Sequence, residues 1–117
     1  MKLYAQRLDH FYFYNPSITA YAANVAVERI VVSEELAATE AFKAKKAHGK
    51  FPMLELADGT CIFESNAIAQ FLARNANATE LFGKSAFEEA QIESWQLIAA
   101  TGLWPHTGKI AYNTFGH

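Results

Sequence analysis

Three features of the 117-residue chain predict an α/β fold built on a mixed four-stranded sheet. Strand-like and capped helix-like segments alternate from residue 10 to residue 48. A proline-led hairpin follows, turning at Asp58-Gly59. Directly after it comes a serine-led amphipathic helix. The order strand, helix, strand, helix, hairpin, helix implies a parallel crossover pair, to which the hairpin adds an antiparallel pair, with helices covering the sheet.

Residues 1–9 alternate only weakly and carry no assignment. His10, Phe11, Tyr12, Phe13 and Tyr14 form an aromatic run that favours a first strand buried on both faces. Asn15-Pro16 ends that strand, because proline biases its predecessor away from helix. Ser17 is placed to cap the next helix, whose apolar stripe is Ile18, Tyr21, Ala22 and Val25. Residues 29–32 read as the second strand on Ile30, Val31 and Val32. Ser33 caps a helix with Glu34 and Glu35 in its first turn and Lys43, Lys45, Lys46 and His48 at its far end, complementing the helix dipole. Those lysines read as a solvated face, with an anionic partner as the alternative.

Gly49 closes that helix in the left-handed conformation. Phe51-Pro52 starts the third strand, since proline cannot donate within a ladder. Met53, Leu54, Glu55 and Leu56 continue it. Asp58-Gly59 makes the turn, and Cys61, Ile62 and Phe63 return. Ser65 stands at the N-cap of a helix buried through Ile68, Phe71 and Leu72. Residues 75–83 are a polar break. Ser85 and Glu88 then form a capping box. Ile92, Trp95 and Ala99 share one face of the helix behind it, with Phe87, Ala90 and Ser94 alongside, and Gly102 and Pro105 interrupt or end it.

The chain is 51% hydrophobic and 19% charged with a formal net charge of -2, which gives no electrostatic footprint for nucleic acid or a membrane surface. No apolar run approaches the ~20 residues of a membrane span. The opening MKLYAQRLDH lacks the apolar core of a secretory signal. Cys61 is the single cysteine. It reads as a small buried hydrophobe rather than a reactive thiol, and as a mark of a reducing compartment. Without a CxxC pair, dithiol exchange is excluded. The histidines His10, His48, His106 and His117 show no metal-ligand spacing with cysteine or carboxylate.

The segments GKFP (residues 49–52) and DGTCIFESNAI (residues 58–68), with the helix after them, resemble the glutathione-binding half of the glutathione transferase superfamily. Within it, the run from Cys61 through Ile68 looks most like the transferase-like domain of the gamma subunit of translation elongation factor one. The resemblance implies a thioredoxin-like βαβ-α-ββα domain over residues 1–76, a linker over 77–84 and the start of an all-helical second domain over 85–117. His117 then reads as a truncation point or as the end of a short product. The resemblance also implies a cytoplasmic protein, glutathione as ligand or cosubstrate, and no metal. The partners it implies are other subunits of the elongation factor one exchange complex or a second copy of the chain.

A protein holding glutathione needs three things. The first is an exposed backbone edge. Taken alone, the residues leave Pro52 as a trans proline opening an edge strand. The resemblance implies instead a cis Phe51-Pro52 bond, with the Phe51 backbone facing the cysteinyl unit of the ligand. The second is a cradle for the γ-glutamyl end. The resemblance assigns this to the helix N-terminus and the Ser65 hydroxyl, with Glu64 on the ammonium group and Lys50 on the glycyl carboxylate. Ser65 as a plain helix cap is the alternative. The third is a hydroxyl that stabilises the thiolate, for which Ser17 is the nearest match and Tyr14 the substitute. Ser17 lacks the cysteine or arginine neighbours of several active classes, and as a bare N-cap it would serve structure only. The leading reading is therefore a scaffold domain in which Trp95 and Trp104 anchor further packing. An active transferase is the main rival, and a domain appended to an aminoacyl-tRNA synthetase the third.

Overall fold

Leu3, Tyr4 and Ala5 are buried, and they form an inner strand of the sheet, β1 (Lys2–Ala5). The computed structural model describes residues 1–8, 11–46 and 49–115, so His10, His48 and His117 lie outside the described residues. β1 runs parallel to β2 (Glu28–Val31), pairing Lys2 with Glu28 and Ala5 with Val31. On its other side it runs antiparallel to β3 (Met53–Glu55), which pairs antiparallel with β4 (Cys61–Phe63). The strand order is β2-β1-β3-β4. This is the expected mixed four-stranded sheet.

The first strand, however, is not the aromatic run. Tyr12, Phe13 and Tyr14 lie in helix α1 (Phe11–Ala22), which also contains Pro16. Aromatic residues suit strands, but here only Phe13 of the three is buried, and one-sided burial is a helical pattern. Residues 2–5 occupy the strand position instead, with Leu3 and Ala5 in one core layer and Tyr4 in the other. Ser17 consequently lies inside α1 rather than at its cap. The buried stripe is Phe13, Pro16, Ser17 and Ala20, so the period of the expected stripe was right and its phase wrong. Ile18 and Tyr21 are 64% and 84% exposed.

Ser33 caps α2 (Glu34–Ala38) as expected, its Oγ accepting from the Leu36 N–H at 3.2 Å. The helical stretch is not continuous. Thr39 breaks it with extended backbone and caps α3 (Glu40–Lys45) by accepting from the Phe42 N–H. Gly49 follows at φ +74, its N–H bonded to the Lys46 carbonyl at 2.9 Å. In the hairpin, Gly59 takes φ +86 and Asp58 Oδ1 accepts from the Thr60 N–H at 2.9 Å. That backbone donor is the main reason the Asp58 carboxyl titrates below its usual range.

α4 (Ser65–Asn75) buries Ile68, Ala69, Leu72 and Ala73. It packs beside α1 over Leu3, Ala5 and Leu54, forming one core layer. Phe42 of α3 joins Tyr4 and Met53 in the other layer, against which Leu36, Phe51 and Cys61 pack. Helices thus cover both faces of the sheet.

The chain divides into two units, Met1–Leu81 and Phe82–His117. A four-residue helix, α5 (Thr79–Phe82), occurs within the stretch read as a polar break. In the second unit Ser85 caps α6 (Ala86–Leu97), accepting from the Glu88 N–H at 3.3 Å. Glu88 reaches back to the Lys84 N–H at 2.7 Å, one residue earlier than the standard box. Of the two alternatives for Gly102 and Pro105, the helix is interrupted rather than ended. A π-helical stretch over Ile98–Leu103 carries it into α7 (Trp104–Phe115). Proline removes one N–H donor and crowds the preceding turn, and a widened register accommodates both. Of the face expected from Ile92, Trp95 and Ala99, Trp95 stands exposed, as does Phe87 beside it, and Ala99 falls in the π-helical stretch beyond α6.

Candidate functional site

The β3–β4 register brings two separated segments together. Met53 pairs with Phe63, so Pro52 and Glu64 are the next residues outward at the same end of the sheet. Tyr4 pairs with Met53, so β1 also delivers the chain toward α1 at that end. Candidate residues more than ten positions apart therefore share one rim.

The Phe51-Pro52 bond is cis, as the resemblance implied. Phe51 is held from behind. The Lys46 ammonium lies 4.1 Å from its ring centroid, and the Phe42 ring centroid is 6.4 Å away. The lysines at the end of α3 are accordingly not a bare solvated face. Lys43 pairs with Glu40 at 2.8 Å, Lys45 with Glu55 at 2.6 Å, and Lys46 with the Phe51 ring. Lys50 is exposed and, among the described residues, has no such partner.

Across the rim, α4 begins differently from expectation. Ser65 is its first helical residue, and Glu64 is the N-cap, with φ +68 and no side-chain capping bond. The offset is one residue, and its cause is the left-handed turn at Glu64. The first backbone bond runs from the Ile68 N–H to the Glu64 carbonyl at 2.9 Å. The N–H groups of Ser65, Asn66 and Ala67 therefore precede the helical ladder, and such groups favour anions. Ser65 thus does not occupy the N-cap position of α4.

The two thiol-activating candidates fare unequally. Ser17 lies roughly 9 Å along α1 from its start, at 1.5 Å per residue. It is 9% exposed, and its Oγ is buried without a hydrogen-bond partner among the described residues. Tyr14 sits on the first turn of α1 and is 47% exposed.

The sequence profile described as Glutathione S-transferase, N-terminal domain, matches residues 1–74. The chain belongs to that family. Elongation factor 1-gamma 1 of Oryza sativa subsp. japonica is 36% identical over 106 residues, covering 83% of this chain and 25% of its own length. A class Gtt2 glutathione S-transferase of Vibrio parahaemolyticus superposes with a TM-score of 0.71 at 36% identity, over 89% of this chain and 52% of that one. The theta class enzyme of Xanthomonas axonopodis pv. citri, solved with glutathione bound, gives 0.73 at 24% identity, over 86% of this chain and 48% of that one. This chain thus spans about a quarter of the elongation factor relative and about half of each transferase.

Behind the rim of this transferase domain lies a polar cluster with only a weak sequence signal. The Tyr4 hydroxyl donates to Glu55 Oε2 at 2.7 Å, and Lys45 Nζ donates to Oε1 at 2.6 Å. Lys45 first and Tyr4 second hold the Glu55 carboxyl below its usual range. Burial, then Glu55, pushes the Tyr4 hydroxyl up to about 12. Burial likewise raises the Cys61 thiol, which suits a packed side chain rather than a nucleophile. The only hint in the sequence was a charge inside the apolar strand MLEL. Also unforeseen was a bond between the helices, from Asn15 Nδ2 to Asn66 Oδ1 at 2.8 Å. Among the described residues, no group of three or more His, Cys, Asp or Glu is placed to hold a metal ion, and no helix is long and apolar enough to cross a membrane.

Proposed function

We propose that this chain is the transferase-like domain of an elongation factor one gamma subunit, a cytoplasmic scaffold in the guanine-nucleotide-exchange complex. In this reading it holds glutathione without activating it. The Phe51 backbone beside Pro52 takes the cysteinyl unit. Ser65 and the N-terminus of α4 take the γ-glutamyl carboxylate, Glu64 the ammonium group and Lys50 the glycyl carboxylate. The observation that carries the reading is the state of Ser17. The segments suited to a peptide ligand stand together at one rim, while the hydroxyl suited to a thiolate is buried within α1. A thiol bound at the rim then keeps its ordinary pKa and remains largely protonated at neutral pH. The elongation factor 1-gamma relative at 36% identity supports the elongation-factor assignment.

Active conjugation is the second reading, favoured by the Vibrio transferase at the same identity and by the exposure of Tyr14. Turnover of glutathione with an aromatic halide separates the two. The scaffold reading expects conjugation near background, unchanged by Ser17→Ala or Tyr14→Phe. Robust turnover abolished by either substitution would establish the transferase reading.

A further inference from the structure

We propose that Asn15 is a positioning residue for the ligand rim, fixing the amide of Asn66 so that its N–H donors serve the carboxylate held at the start of α4. The proposal rests on the glutathione reading above and goes beyond it by naming how α1 contributes.

Asn66 is the second residue of α4, next to Ser65. Asparagine is a poor helix former because its side chain competes for nearby backbone groups. Here the side chain is engaged sideways instead, its Oδ1 accepting from Asn15 Nδ2 at 2.8 Å. An amide whose oxygen is tied to one neighbour must direct its nitrogen elsewhere. The two N–H donors of Asn66 meet no other partner among the described residues. They belong to the same helical turn as the unladdered N–H groups of Ser65, Asn66 and Ala67.

Asn15 is itself held firmly. It lies between Phe13 and Pro16, both buried, and the Thr19 hydroxyl donates to its backbone carbonyl at 2.9 Å. Phe13 and Ala20 of α1 share a core layer with Ile68 and Leu72 of α4, which fixes the register of the two helices. The Asn15–Asn66 bond is the polar end of that packed interface. It transmits the rigidity of α1 to a donor beside Ser65, although Asn15 contacts no ligand in this scheme.

The test is calorimetric titration of glutathione, and of an analogue whose γ-glutamyl unit is replaced by 4-aminobutyryl. That analogue keeps the amine and lacks the α-carboxylate. Asn66→Ala should weaken glutathione about tenfold, the scale of a hydrogen bond to a charged group. Asn15→Ala should weaken it about three- to fivefold, and the double variant no more than Asn66→Ala alone. Neither substitution should alter binding of the analogue. Asn15→Asp keeps the size but presents an acceptor, drawing the Asn66 N–H groups toward itself. It should cost at least as much affinity as Asn15→Ala, which keeps the test decisive if the alanine variant folds poorly. Additive losses, equal losses on the analogue, or no loss in Asn15→Asp would overturn the positioning role while leaving the glutathione reading intact. No binding of glutathione by the unsubstituted chain would overturn both.

Discussion

Replacing Tyr4 by Phe removes one hydroxyl and leaves the ring edge-on to Phe42, where the centroids are 5.3 Å apart. The lost bond is the 2.7 Å contact to Glu55 Oε2, made between buried groups. Glu55 keeps Lys45 on its other oxygen. A hydrogen bond to a charged group contributes about 1.5–3 kcal/mol, so the variant should be about 2 kcal/mol less stable at neutral pH. For a domain of this size that corresponds to a fall of roughly 10 °C in Tm. The pH dependence has a definite sign. Tyr4 helps hold the Glu55 carboxyl below its usual range. That contribution is present above the unfolded value of about 4.3 and is lost as pH falls through the lower folded value. Tyr4 itself is raised to about 12. Its contribution is full below the unfolded value of about 10 and is lost as pH rises through the folded one. The stability gap between the parent and Tyr4→Phe should therefore be widest between about pH 5 and 9 and close at both extremes. Urea denaturation followed by circular dichroism at pH 3, 7 and 11 measures it. A gap below about 0.5 kcal/mol at pH 7, or one equal at pH 7 and 11, would contradict this.

Three further outcomes follow from local geometry. Ser65→Ala should weaken glutathione binding about tenfold yet leave stability within about 0.5 kcal/mol, because Ser65 is not the N-cap of α4; calorimetry and thermal melts check the two halves. Ser17→Ala should leave stability unchanged or raise it by up to about 1 kcal/mol, since it deletes a buried hydroxyl without a partner. A fall of more than that in a melt would show that the hydroxyl has a partner. Gly83→Ala places a Cβ 2.7 Å from the Glu89 nitrogen at a backbone φ of +101, so it should loosen the start of α6. Hydrogen exchange across Glu88 and Glu89 should quicken, and unchanged protection would contradict the geometry.

What was legible in the sequence was mostly local chemistry. Ser33 and Ser85 cap helices, Gly49 and Gly59 take positive φ, and the hairpin and the buried face of α4 fall where their residues suggest. The misplaced elements depend on pairing that no local pattern reveals. Residues 2–5 are too short to show a period, whereas the aromatic run beside them suits a strand or a helix and is settled by which segment docks between β2 and β3. That choice moved Ser17 from a helix cap to a helix interior. At Ser65 the error was one residue, because Glu64 adopts a left-handed backbone that sequence rules assign to glycine or asparagine. The bonds linking Lys45 with Glu55 and Asn15 with Asn66 arise only once helices and sheet are packed.

The central proposal is a scaffold role, and capture of the purified nucleotide-exchange subunit of elongation factor one by the full-length protein tests it most directly. Retention at micromolar concentration, unaffected by Ser17→Ala, is the expected result. Failure to retain that subunit would contradict it.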